Sequence, residues 1–349
     1  SLEITILEPA LDHFYQPGWT LVGGGVFTLE QTRRSEQDLI PAGVRWIREG
    51  AAGFDPAANT VTTSGGDTLS YDVLVVATGI KLCWDRIKGL PDALGSNGIT
   101  SNYSREHVAY TWETIRSFRG GTALFTYPET PIKCAGAPQK IMYLADDAFR
   151  RSPEVADRTK VIYATATPGI FGIKAFVEPL LKVVKRRGID ARYQHTLREI
   201  RPESREAVFS VKDGESSREE VIGFDMIHVT PPMAAPDVVA NSPLAVQGPG
   251  GWVEVDKFTT QHVRFPNVFS LGDVSSLPNS KTAAAVRGQA PVLVATLLAH
   301  LDGLPLEARY DGYACCPLIT GYDRVIMAEF NDEGTPTPSF PLDPTEERW

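Results

Sequence analysis

Tyr71-Asp-Val-Leu-Val-Val-Ala-Thr-Gly79 is a largely apolar run of strand length that closes on small residues. Such a run reads as a strand buried on both faces of a parallel sheet. Its small closing residues, Ala77, Thr78 and Gly79, leave room for a cofactor to cross the strand's end. Phe224-Asp-Met-Ile-His-Val-Thr-Pro-Pro232 repeats the pattern in the second half of the chain. That half also carries a buried strand at 161–166, a helix to about Arg187 stopped by Gly188, and a short strand at 190–193. In the first half, 44–47 reads as a short strand, and 60–63 with 68–71 as a hairpin about Gly65-Gly66. Two halves of this kind point to a duplicated nucleotide-binding unit in an α/β fold.

Further on, residues 267–271 read as a strand ending in Gly272-Asp273, and an apolar helix runs from Ser280 to about His300. A carboxylate at a strand tip, ahead of a helix that opens on alanines, suits a polyol and a phosphate-bearing cofactor. Glu8, at the tip of the strand that opens the chain, fits the acid that binds adenosine ribose hydroxyls in a dinucleotide fold. The glycine-rich loop that belongs about 20 residues earlier is absent from the sequence. The chain starts on a strand without an initiator Met, so it reads as cut at its front. Gly23-Gly-Gly25 permits close backbone approach but lacks phosphate-loop spacing. In the second half, Pro168, Ile170 and Phe171 interrupt the 165–172 loop around Gly169 and Gly172. A pyrophosphate needs close backbone approach there, so this half is expected to bind no NAD(P).

The bulk numbers narrow the class. At 349 residues the chain has room for two domains, and its net charge of −9 argues against a nucleic-acid surface. Cys83, Cys134, Cys315 and Cys316 are too few for a disulfide scaffold and lack zinc spacing. No signal peptide is visible. No apolar run reaches the roughly 18 residues that a membrane span requires.

Chemistry concentrates in Thr130-Pro-Ile-Lys-Cys-Ala-Gly-Ala-Pro-Gln-Lys-Ile-Met-Tyr-Leu144. A strand-like run at 121–127 leads into a turn, and Pro138 suits the first helical position. Cys134 therefore stands just ahead of a helix N-terminus, beside Lys133. Free N–H groups, the helix dipole and the adjacent ammonium all favour a thiolate. Cys316 precedes Pro317 in what reads as a Gly- and Tyr-rich loop. Spacing alone does not tell whether the two sulfurs meet.

Five runs resemble the sulfide:quinone oxidoreductase family, closest to its mitochondrial type and bacterial relatives. They are His13-Phe-Tyr-Gln-Pro17, Ile132-Lys-Cys-Ala-Gly-Ala-Pro-Gln-Lys-Ile-Met-Tyr-Leu144, His228-Val-Thr-Pro-Pro-Met233, Lys281-Thr-Ala-Ala-Ala-Val286 and Tyr310-Asp-Gly-Tyr-Ala-Cys-Cys-Pro-Leu318. The resemblance implies two Rossmann-like dinucleotide-binding domains of glutathione-reductase type, holding FAD non-covalently. It implies a redox pair, Cys134 and Cys316, that receives sulfide sulfur. It also implies a cofactor site: Glu8 at the ribose, Gln16 by the flavin, Ala51 at adenine, and Thr78 and Gly79 along the cofactor. Gly272 and Asp273 would stand at the ribityl chain, with Lys281, Ala283, Ala284, Ala285 and Val286 at the flavin–pyrophosphate end. Cys83 reads as structural, and Cys315 as a bystander or exchange partner.

The implied organisation is a first FAD-binding part at 1–115 and a second Rossmann-like domain at 116–235. A return FAD segment at 236–305 and a redox-cysteine, quinone-side segment at 306–349 follow, with 318–330 contributing to the quinone pocket. The family's first strand and glycine-rich loop, and its C-terminal amphipathic helices, are expected to lie outside this sequence. The implied reaction passes two electrons from sulfide through FAD to a quinone, ubiquinone or menaquinone, and leaves a cysteine persulfide. Glutathione, sulfite or another acceptor then removes the sulfane sulfur. The expected location is peripheral, on the bacterial cytoplasmic or mitochondrial inner membrane. Two rival readings are a type-2 NADH:quinone dehydrogenase-like flavoprotein and a non-catalytic truncated chain.

Overall fold

The computed structural model describes residues 2–349. Its centre is a five-stranded parallel sheet in the order Ile99–Thr100, Met226–His228, Gly121–Tyr127, Thr159–Thr165, Asp190–Arg192. Side chains alternate across it as a strand's period of two requires. Ala123, Phe125, Val161 and Tyr163 face one core, while Leu124, Ile162 and Ala164 face another. The helix Ala137–Phe149 packs in the first core and is buried from Pro138 to Asp146 without a break, the polar Gln139, Lys140 and Asp146 included. The helix Lys174–Arg187 shares this core and ends, as the sequence predicts, on Gly188 with φ +65°. The second core is closed by an antiparallel meander of His195–Arg201, Glu206–Asp213 and Ser216–Gly223. No apolar pattern in the sequence announces this meander, because its strands carry many charged residues and only one face is buried.

In the other half, Thr5–Leu7 pairs in parallel with Arg45–Ile47. Only Leu74–Val76 of the 71–79 run forms a strand; it pairs on one side with Val268–Ser270 and leaves Val75 exposed, so it is not buried on both faces as its apolar pattern predicts. The expected hairpin forms from Thr60–Thr63 and Thr68–Ser70, with Ala51–Asp55 as a third strand. The apolar helix begins at Ala283, three residues later than expected, because Thr282 is its N-cap and accepts the Ala285 N–H at 3.1 Å. Spanning Ala283–Leu301 with a mean hydropathy of 1.3, it is long and apolar enough to cross a membrane, contrary to the sequence expectation. Arg287 and Gln289 break its apolar run without lowering the average below that level.

Two further expectations change. Cys316 lies in a strand, Ala314–Gly321, that pairs antiparallel with Arg324–Phe330. Pro317 misled the reading, yet this strand pairs on one side only and so tolerates a residue without an N–H. The 165–172 loop follows Thr159–Thr165, one strand beyond the point where the strand order reverses. The turn in the phosphate-loop position is the one after Gly121–Tyr127, at that reversal, and it carries Cys134. The grounds for doubting an NAD(P) loop therefore belong to 128–136, where Pro131 and Cys134 stand in place of a G-x-G-x-x-G run.

Candidate active site

Topology places Cys134. From Gly121–Tyr127 the chain moves outward to Thr159–Thr165 and Asp190–Arg192, then returns to Met226–His228 on the opposite side. Cys134 follows the strand where that order reverses, at the carboxyl ends of the strands, which is where open α/β sheets bind ligands. Its φ is +58°, a left-handed conformation uncommon for a residue with a Cβ. Backbone bonds on both sides hold it there: its N–H donates to Lys281 O at 2.7 Å and its carbonyl accepts Ala137 N–H at 2.9 Å. The first of these ties the cysteine turn to the segment just before the helix Ala283–Leu301.

The two sulfurs meet. Cys134 Sγ and Cys316 Sγ are 3.2 Å apart, and neither is in a disulfide. Lys140, one turn into the helix and 8% exposed, donates from Nζ to Cys134 Sγ at 3.3 Å. A hydrogen bond from Cys316 and the Lys140 charge hold the Cys134 thiol below the ordinary range, against the opposing effect of burial. Cys316, donating to that thiolate and buried, is pushed well above it. Lys140 keeps its proton because the facing sulfurs outweigh its burial. The neighbour named from sequence was Lys133, but its Nζ donates instead to Gln16 Oε1 at 2.6 Å. The i,i+6 placement of Lys140 was legible once the helix was drawn; adjacency in sequence drew attention to the wrong lysine.

Gly136 allows this approach. A Cβ there would collide with Cys316 Sγ and Leu318. Gly136→Ala is expected to lower stability by about 1–3 kcal/mol, a cost typical of overpacking, and to push the sulfurs apart. Thermal unfolding and the rate of disulfide closure check this together.

Of the expected cofactor residues, Gln16, Asp273 and Lys281 come together around the cysteine turn. Lys133 is within reach of the Asp273 charge, and the two lysines 133 and 281 lie in neighbouring bridged backbone. Burial pushes the Asp273 carboxyl up, with Lys281 and Lys133 opposing. Lys281 Nζ is committed to the carbonyls of Asp273 at 2.6 Å and Ser275 at 3.0 Å, over the Trp252 ring. Glu8 follows the strand Thr5–Leu7, where its N–H bonds Ile47 O at 3.1 Å and its carboxylate accepts Ala10 N–H at 2.6 Å, and Ala51 opens the strand Ala51–Asp55. Thr78 is exposed, while Gly79 and Gly272 have φ of +73° and +71°. Ala285 is buried inside the helix, while Ala283 is exposed and Ala284 and Val286 are partly so.

Among the described residues the Asp273 carboxylate has no hydrogen-bond partner, nor do the N–H groups of Ala283 and Ala284 at the helix start. An orphan acceptor beside orphan donors fits a ligand that carries both hydroxyls and phosphate, as FAD does. Alongside lies an open cleft of about 360 Å³, floored by Gln16 and Lys133 and walled by Phe14, Trp19, Trp84 and Tyr103.

No protein-family model matches the chain. It is 46% identical over 348 residues to the mitochondrial sulfide:quinone oxidoreductase of Dictyostelium discoideum, covering 99% of this chain and 76% of that one. The mitochondrial enzyme of Mus musculus is 45% identical over 345 residues, with the same coverage, 99% and 76%. The chain belongs to the sulfide:quinone oxidoreductase family. A solved sulfide:quinone oxidoreductase from Aquifex aeolicus has the same fold, with a TM-score of 0.79 at 20% identity over 94% of this chain and 78% of that one.

Within this sulfide:quinone oxidoreductase fold the remaining thiols separate by face. Cys315 pairs with Glu329 and Cys316 with Ala328, so the adjacent cysteines point to opposite sides of the strand. Burial and the Glu329 charge push the Cys315 thiol up to about 11. Cys83 is buried, and burial raises its thiol as well. The 318–330 segment, expected to line a quinone pocket, buries Leu318, Ile326 and Phe330 in the core, Phe330 against Phe171 and Phe176. Ile319, Tyr322, Val325 and Met327 of the same segment are only partly buried.

Proposed function

We propose that the chain oxidises sulfide at the Cys134–Cys316 pair and hands two electrons to a quinone, with FAD as its cofactor. The observation that carries the reading is the 3.2 Å approach of two sulfurs from distant segments, with the Lys140 ammonium against one of them. Asp273, Gly272, Thr78, Gly79 and the Ala283–Ala284 helix start would hold the FAD. Lys281 would act by fixing the Asp273 backbone, and Glu8 and Ala51 would meet the adenosine end. FAD, when bound, supplies the two-electron acceptor beside the thiols.

In the oxidised pair, HS⁻ attacks one sulfur and the other leaves as a thiolate. The lower-pKa thiol is the better leaving group, and Lys140 makes that Cys134. Sulfide therefore bonds to Cys316 sulfur, the S–S bond breaks, and its electron pair stays on Cys134. The products are a Cys316 persulfide and a Cys134 thiolate paired with Lys140. A thiol or sulfite anion entering past Lys133 would take the outer sulfur from Cys316. Glutathione and sulfite are the acceptor classes this reading includes, and ubiquinone or menaquinone the electron acceptors. The identities to mitochondrial relatives support a place at the mitochondrial inner membrane or its bacterial counterpart.

The test is to treat flavin-loaded, oxidised protein with one equivalent of sulfide, alkylate, and locate the added sulfur by mass spectrometry. It is expected on the peptide containing Cys316. Sulfane sulfur found on Cys134 alone would overturn the order of attack, and none on either cysteine would overturn the reaction.

A further inference from the structure

At the far end of the helix that follows Cys134, two adjacent carboxylates, Asp146 and Asp147, occupy the last turn. A helix C-terminus disfavours anions, so their presence calls for cations. Arg187, the last residue of the neighbouring helix and nearly buried, answers with three bonds. Its Nη1 donates to Asp146 Oδ2 at 2.7 Å, and its Nη2 to Asp147 Oδ1 at 3.1 Å and to the Thr320 carbonyl at 2.5 Å. Thr320 lies in the strand of Cys316. Asp147 Oδ2 also accepts the N–H of Tyr322, in the turn that ends this strand, at 3.1 Å. Arg150 adds a second cation on Asp146 at 2.7 Å and donates to the Arg187 carbonyl.

The spans match. From Ala137 to Asp146 the helix rises about 13–14 Å at 1.5 Å per residue. From Cys316 to Thr320 the strand covers about 13 Å at 3.3 Å per residue. The two elements run side by side between two fixed points: the sulfurs at one end and the Arg187 fork at the other. A lysine has one compact charge and no planar fork to hold the carboxylate and the carbonyl from separate nitrogens.

We propose that Arg187, acting through Asp146 and the Thr320 carbonyl, is the positioning residue that sets the register of the Cys316 strand along the Cys134 helix and hence the approach of the two sulfurs. The inference rests on the reading of these cysteines as a redox pair. Arg187 touches no reacting atom.

The experiment uses flavin-loaded full chain equilibrated with glutathione and its disulfide. Closing the pair consumes one glutathione disulfide and two cysteine thiols, and yields one protein disulfide and two glutathiones. The double variant Arg187→Met/Asp146→Asn removes the fork without leaving a lone buried charge, the change that buried pairs tolerate best. Its equilibrium constant for closure is expected to fall about tenfold, and kcat about tenfold or more with little change in KM, the scale of effect that small misplacements produce. Arg187→Lys, which keeps a charge opposite Asp146 but loses the arm to Thr320, is expected to shift both in the same direction, so the readout survives should the double variant not accumulate. Lys182→Met, exposed on the same helix and paired only with Glu178, serves as the unchanged control. A wild-type pair that closes, with variants matching it in closure and kcat, overturns the role of Arg187 alone. A wild-type pair that never closes overturns the redox reading and this inference with it.

Discussion

Cys134→Ser in the flavin-loaded protein is expected to reduce sulfide-dependent quinone reduction by about 10³-fold or more, the loss typical when one member of a catalytic unit is removed. A serine oxygen cannot close a bond with Cys316 under sulfide attack, nor serve as a low-pKa leaving group. The packing reason for expecting a folded variant is plain: Cys134 is only half-buried, and its backbone bonds to Lys281 and Ala137 do not involve the sulfur. Oxygen is smaller than sulfur, so the substitution adds no bulk against Cys316 Sγ. Flavin absorbance and the melting temperature should therefore stay near wild type while turnover disappears. A variant that turns over at the wild-type rate would sink the dithiol role outright.

The second large effect concerns Lys140→Met. The methionine fills much the same volume but removes the ammonium 3.3 Å from Cys134 Sγ. At present Cys134 titrates below the ordinary thiol range, so its thiolate is fully formed at neutral pH and is lost only as pH falls through that lowered value. Without Lys140 the hydrogen bond from Cys316 remains, but burial opposes the charge with less to offset it. The thiol should then rise toward the free value of about 8.5. Turnover near pH 7 is expected to fall about 10–100-fold and to recover in part as pH rises, since the thiolate fraction grows tenfold per pH unit below the pKa. The alkylation rate of reduced Cys134 across pH 4–9 reads the same shift without turnover. An unchanged pH profile would return the acidity of Cys134 to the helix entrance and Cys316 alone. Lys133→Met is the instructive contrast: its amine, lowered to about 8 by burial, bonds Gln16 rather than a sulfur.

The approach of Cys316 to Cys134 was open in the sequence because nothing local records it. The strand containing Cys316 looked like a loop, since Pro317 and the glycines and tyrosines around it carry turn signals. Its partner strand and the buried helix override those signals, because a strand that hydrogen-bonds on one side and packs on the other needs no N–H at every position. The charged meander at 195–223 went unread for a related reason: a strand with one wet face shows half the apolar pattern of a core strand. The assignment of the phosphate-loop position to 165–172 failed differently. Loop composition was visible there, but strand order was not, and only the order says at which strand it reverses.

What the sequence determined by itself were the features whose cause lies within a few residues. The stop at Gly188, the helix entrance after Cys134 and the acid at Asp273 all declare themselves through propensity and spacing, whereas of the apolar run 71–79 only Leu74–Val76 becomes a strand. So does family membership, since runs such as Lys133-Cys-Ala-Gly-Ala-Pro-Gln-Lys140 are locally distinctive. Tertiary structure alone decided which lysine faces the thiol, which of two adjacent cysteines turns toward it, and how an arginine far along the chain holds the two elements level. Those are matters of register and facing. A helix turns 100° per residue and a strand 180°, so a side chain's neighbours are set by the elements packed against it and not by the residues beside it in the chain.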